Sequence, residues 1–108
     1  MPLYMTQFAY TSEAWAALVR SPEDRSAAVR ELAESMGARM IAFYFSFGEY
    51  DGVIILEAPD ETTAAAVVLA AASAGHVKRI ETTTLLSAED GMEAMRKAGM
   101  VAFRGPKQ

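Results

Sequence analysis

Cysteine is absent from these 108 residues. That excludes disulfides, thiolate metal sites and thiol nucleophiles, and it fits a reducing compartment. There is one histidine, His76, so a histidine-rich zinc site within one chain is excluded too. Charge is scarce: 22% of residues are Asp, Glu, Lys or Arg, and the balance is −4. Nucleic-acid binding normally leaves a basic footprint, and here Lys and Arg are scattered, so no nucleic-acid partner is expected. No uncharged apolar run reaches the roughly 18 residues of a membrane span. The nearest, Thr62–Ala74, is short and alanine-rich and reads as a buried helix. The start, Met1-Pro2-Leu3-Tyr4, lacks the basic region of a signal peptide. Glycine-rich phosphate loops, H-E-x-x-H helices and G-x-S-x-G elbows are missing as well. A soluble cytoplasmic protein without cofactor, metal or membrane partner is the expectation.

Apolar residues are what the chain has in excess, at 52%. Its length favours a single domain over residues 1–108. A domain this small has little interior, so part of the apolar excess is expected between subunits.

Leu3–Tyr10 reads as a strand with apolar groups on both faces. Thr11 and Ser12 offer caps for a short helix whose apolar face is Trp15, Leu18 and Val19. Ser21-Pro22-Glu23-Asp24 reads as a second helix start, with Ser21 capping and Pro22 at the first position. Val29, Leu32, Ala33 and Met36 form that helix's inward stripe, and Gly37 ends it. Met40–Phe47 is a second strand, with Ile41, Phe43, Phe45 and Phe47 on one face. Val53–Glu57 is the most aliphatic strand and is expected at the centre of a sheet. Asp60 caps a helix with the stripe Ala64, Val67, Val68, Ala71 and Ala72, ended by Gly75. Val77–Leu86 is the fourth strand. Ser87-Ala88-Glu89-Asp90 opens a last short helix with Met92 and Met95 inward.

The order is β-α-β-β-α-β, with an extra short helix after the first strand and one appended at the end. This is the α+β, ferredoxin-like motif: a four-stranded antiparallel sheet with both long helices on one face. The other face then carries Tyr4, Phe8, Ile41, Phe43 and Phe45, or their alternates. An exposed apolar patch of that kind marks an interface or a ligand surface. Two sheets packed face to face bury it, giving an assembly of the dimeric α+β barrel type.

Gly48-Glu49-Tyr50-Asp51 joins the second and third strands and holds the densest local set of polar groups. Followed by Val53–Glu57 and Ala58-Pro59-Asp60, it resembles the GYD-domain family. The matching pattern runs back through Leu32–Gly37, forward through Ser73–Val77, and on to Glu81–Thr84. It covers about residues 3–98 and leaves 99–108 as a tail. The resemblance implies a relationship in fold to dimeric α+β barrel proteins, and it implies fold far more than reaction.

The candidate ligand-binding residues are Gly48, Glu49, Tyr50, Asp51 and His76. Tyr50 can donate a hydrogen bond or stack, and a carboxylate can accept a proton. A plain turn accounts for the same residues: Gly48 allows unusual dihedral angles, and Asp51-Gly52 suits a tight turn with local side-chain bonds. His76 suits acid–base work, and it equally suits a helix-to-strand junction. Arg79 and Glu81, two apart on one strand, share a face and can pair. The leading reading is a soluble homo-oligomeric domain that binds a small ligand or a partner between sheet and helices. The alternatives are a cofactor-independent enzyme (monooxygenase- or isomerase-like) acting on a small aromatic or enol-like substrate through Tyr50, Asp51 and His76, and a purely structural assembly unit.

Overall fold

The computed structural model describes residues 1–107. The elements follow as β1 (Leu3–Tyr10), α1 (Ser12–Arg20), α2 (Arg25–Ser35), β2 (Arg39–Phe45), β3 (Gly52–Glu57), α3 (Glu61–Ala72), β4 (Val77–Leu85) and α4 (Ala88–Gly99). The strands form one antiparallel sheet in the order β2-β3-β1-β4, so the expected ferredoxin-like arrangement is present. β1 and β3 are the central strands, as their apolar content requires.

Short polar side chains start each helix by accepting an orphan backbone N–H. Thr11 accepts from Ala14, Asp60 from Thr63 and Ser87 from Asp90. The second helix starts later than expected. Asp24 caps it by accepting from the Ser26 amide, and Ser21 instead closes α1 by donating to the Ala17 carbonyl. Gly37, at φ 78°, provides the left-handed residue that ends α2.

The core lies between the sheet and the helices. Tyr4, Leu56, Ala33, Ala58, Ala64 and Val67 are its closed end, with Leu32 and Met36 packed on them. Ala33 and Ala58 are fully buried within this cluster. At the other end Phe8, Tyr10 and Ala14 pack against Trp15, Leu18, Phe43 and Ile54.

Tyr4, Phe8 and Phe43 therefore face the helices, and the open face is built from the alternates. Along β3 it shows Val53, Ile55 and Glu57. In register with them lie Gln7, Met5 and Leu3 of β1, and Tyr44, Ala42 and Arg39 of β2. The strict alternation expected in β2 fails because the register shifts between Met40 and Ala42. One extra residue, Ile41, is pushed out of the ladder and is 45% exposed. Met40 and Phe43, three apart, consequently share the helix-facing side.

Val19 and the last helix depart from expectation. Val19 is exposed rather than inward, and so are Met92 and Met95. α4 buries none of its residues. The molecule measures 58 × 37 × 21 Å, with a radius of gyration of 17.6 Å. A compact chain of about 100 residues has roughly 13 Å.

Candidate functional site

Two separate places hold the polar residues singled out from the sequence. The first is the link between β2 and β3. Its backbone closes tightly: the Ser46 amide donates to the Asp51 carbonyl, and the Gly48 amide donates to the Tyr50 carbonyl, each at 2.9 Å. The left-handed residue is Phe47, at φ 50°, whereas Gly48 has an ordinary φ.

Asp51 does not form the local turn bonds expected of it. Its Oδ2 accepts from the Tyr10 amide at 2.8 Å and from the Trp15 indole Nε1 at 3.0 Å. Its own amide donates to the Phe8 carbonyl at 2.7 Å. One side chain thus fastens the link to the end of β1 and to α1. Gly52 is not a turn residue either. It opens β3 opposite Phe8, whose ring lies over its bare Cα: a Cβ there would sit 2.3 Å from Phe8 Cζ.

Glu49 and Tyr50 turn to the open sheet face, where they meet β4. The Tyr50 hydroxyl donates to Glu81 at 2.7 Å. Arg79 donates to Glu49 at 3.3 Å, and its guanidinium lies 5.8 Å from the Tyr50 ring centroid. Arg79 and Glu81 share a face as expected, yet each is engaged by the link rather than by the other. The Tyr50 phenol is held above its ordinary pKa, first by its bond to Glu81, then by partial desolvation and the charges of Glu81 and Glu49. The geometry is a surface clamp between link and strand. Exposed contacts of this kind contribute little stability. Tyr50→Phe is therefore expected to leave the urea midpoint within error of wild type. A fall on the scale of a core truncation would make Tyr50 a packing residue instead.

The second place is a cavity of about 270 Å³ between the sheet and helices α2 and α3. Its body is apolar, formed by Phe43, Ile54 and Leu56 below and Val29, Leu32 and Val67 above. Thr6 is the polar group on its floor, and its hydroxyl is already bonded to Thr82 at 2.9 Å. Tyr10, Arg25 and His76 line the end where β1 finishes and α2 and β4 begin. Burial pushes the Tyr10 phenol pKa up, and the charge of Arg25 beside it works the other way.

His76 thus lines a cavity that neither Tyr50 nor Asp51 lines, and its backbone carbonyl accepts from the Thr11 amide at 2.9 Å. Glu49 and Tyr50 lie on the opposite sheet face, and Asp51 is spent on Tyr10 and Trp15. The structure brings Gly48, Glu49, Tyr50 and Asp51 together and leaves His76 elsewhere. Arg25 and Tyr10 were not singled out from the sequence. A signal for Arg25 was present, since a cation in the first turn of a helix opposes the dipole.

The comparisons with known proteins agree with this architecture. The family pattern described as the GYD domain matches residues 4–95. The chain belongs to the GYD-domain family. A relative from Thermus thermophilus is 36% identical over 78 residues, covering 72% of this chain and 82% of its own length. That relative is named a glutamine synthetase and cystathionine beta-lyase binding protein. Among solved structures, the Thermus thermophilus protein TTHA0845 superposes with a TM-score of 0.55 at 20% identity, covering 82% of this chain and 96% of that one. A transcriptional regulator of Neisseria meningitidis, solved as a complex with L-Met, gives a TM-score of 0.59 at 17% identity and 81% coverage. This GYD-domain chain spans 51% of that regulator's length. At such identities the two structures show a shared fold. Among the described residues no cluster of three or more His, Cys, Asp or Glu could hold a metal ion, and no helix is long and apolar enough to cross a membrane.

Proposed function

We propose that this protein is a binding module that works as a homodimer and takes a small ligand between its sheet and its helices. The observation that carries the reading is the cavity over Phe43, Ile54 and Leu56. It is a cleft that opens to solvent along Ala70, Ala74 and His76. An apolar space of this size with polar groups gathered at one end is what a ligand site needs. The dispersal of Tyr50, Asp51 and His76 favours binding over catalysis, because acid–base chemistry requires them within hydrogen-bond reach of one substrate. Xenon is a direct test, since it enters dry apolar cavities. Crystals pressurised with xenon are expected to show it beside Ile54 and Val67. A cavity that stays empty under pressure removes the basis of the reading.

The open sheet face supports the homodimer. Ile55 stands at its middle, flanked by Met5 and Ala42, and Val53 lies beside Tyr44. Charges edge this patch: Arg39 pairs with Glu57 at 3.5 Å at one end, and Glu49 with Arg79 at the other. An apolar centre with a polar rim is the anatomy of an interface, and a two-fold axis lets one surface cover itself. Light scattering at micromolar concentration is expected to give twice the chain mass. Ile55→Asp, a charge placed at the centre of the patch, is expected to give the monomer with its far-UV circular dichroism retained. A wild-type monomer defeats the dimer argument.

A protein partner is the second reading. The role in the Thermus relative's name favours it, and so does an exposed stack of Phe45 on Phe47, 5.7 Å between centroids with Phe47 71% exposed.

A further inference from the structure

The cavity's lining has a one-sided chemistry. Among the described residues, Arg25 brings the only permanent charge to it, Tyr10 and His76 bring the other titratable groups, and no Asp, Glu or Lys side chain takes part. All three polar groups come from one end of the fold: the last residue of β1, the first residue of α2 and the turn before β4. The opposite end is closed by Leu32, Leu56 and Val67. Thr6 has its hydroxyl satisfied by Thr82, so the body of the cavity offers a ligand little to bond. Arg25 also stands where helix electrostatics disfavour a cation, in the first turn of α2. A residue that breaks a local preference is expected where function requires it.

Resting on the small-ligand reading above, we propose that the cavity binds a monocarboxylate with an apolar body. Its carboxylate meets the Arg25 guanidinium, with the Tyr10 hydroxyl and the His76 ring as neighbouring partners. Its hydrocarbon lies over Phe43 and Ile54. A planar guanidinium is matched to a carboxylate, which it can bind through two parallel N–H bonds. At about 30 Å³ for each water-sized group, the 270 Å³ space corresponds to a body of roughly nine non-hydrogen atoms. This is the size of a medium-chain or aryl-substituted acid and too small for a diacyl lipid. Arg25 donates to Glu23 at 2.8 Å, and Glu23 is 59% exposed. An exposed pair of that kind is weak, so an incoming carboxylate can displace Glu23.

Octanoate, octan-1-ol and octylammonium are the probes, measured by isothermal titration calorimetry on the full chain. Octanoate is expected to bind at least about tenfold more tightly than octan-1-ol, the scale of a charged hydrogen bond, and octylammonium least well. Arg25→Gln is expected to reduce octanoate to the level of octan-1-ol while leaving octan-1-ol unchanged. Glu23→Gln, which removes the competing carboxylate from the surface, is expected to tighten octanoate. Ala71→Leu fills the cavity from α3 and is expected to abolish binding of both. Octan-1-ol binding as well as octanoate, or octanoate unchanged by both Arg25→Gln and Glu23→Gln, overturns the carboxylate assignment and leaves the cavity reading standing. Failure of all three probes, with xenon also absent from the cavity, overturns both.

Discussion

Asp51→Ala is expected to lower the unfolding free energy by about 3–4 kcal/mol, the lower part of the roughly 3–6 kcal/mol that two hydrogen bonds to a charged acceptor sum to. The substitution strips the acceptor from the Tyr10 amide and the Trp15 indole at once. Both donors lie in partly buried surroundings at the junction of β1 and α1, where water replaces the carboxylate poorly. The effect should appear as a lower urea midpoint at an unchanged m-value, because the compactness of neither state is altered. Asp51→Asn keeps one carbonyl oxygen at the same place and should lose distinctly less. Trp15 supplies a second readout, since freeing its indole changes the emission of the chain's one tryptophan. A stability within about 0.5 kcal/mol of wild type, the range of an ordinary surface change, would reduce Asp51 to a turn residue.

Gly52→Ala should cost about 1–3 kcal/mol through overpacking. The added methyl would fall 2.3 Å from Phe8 Cζ and 2.7 Å from Cε1, so the ring has to move. Phe8 is hemmed in by Tyr10 and Phe43, at 5.1 and 5.7 Å between ring centroids. The remaining direction is into the cavity, which the ring already lines. The substitution therefore couples link and cavity: stability drops, and the space left for xenon or octanoate shrinks. Pairing it with Phe8→Leu gives the ring's room back to the methyl. In a thermal-melt cycle the double variant should be less destabilised than the sum of the singles. Strict additivity would mean that ring and methyl never meet.

Much of this architecture is legible in residue order. β1 is bounded by its alternation and by the capping Thr11. α3 is bounded by Asp60 and by its Ala64–Val67 stripe. Such elements are read from neighbours within a turn or two. What escaped depends on distance. Asp51 looks like a turn former next to Gly52, and its partners at Tyr10 and Trp15 are 41 and 36 residues away. Tyr50 and Glu81 are 31 residues apart, so neither announces the other. In β2 Phe43 and Phe45 keep the expected alternation, but Ile41, which the pattern counts with them, is the residue that leaves the ladder. In α4 the spacing of Met92 and Met95 describes an apolar stripe, but a stripe does not reveal whether its own domain reaches it. Arg25 follows directly on the acidic start and cap Asp24, where the local pattern encodes a helix start and nothing of a cleft formed with distant strands.

The displaced Ile41 has a consequence for life at high concentration. β2 is an outer strand, and Phe43, Tyr44 and Phe45 make it rich in the residues from which fibrils grow. A long, flat border of this composition offers free amides and carbonyls to any passing extended segment. An extra residue kinks that border and breaks the even spacing on which a stranger's backbone would zip. The same irregularity that turns Phe43 toward the cavity thus guards the chain against runaway stacking.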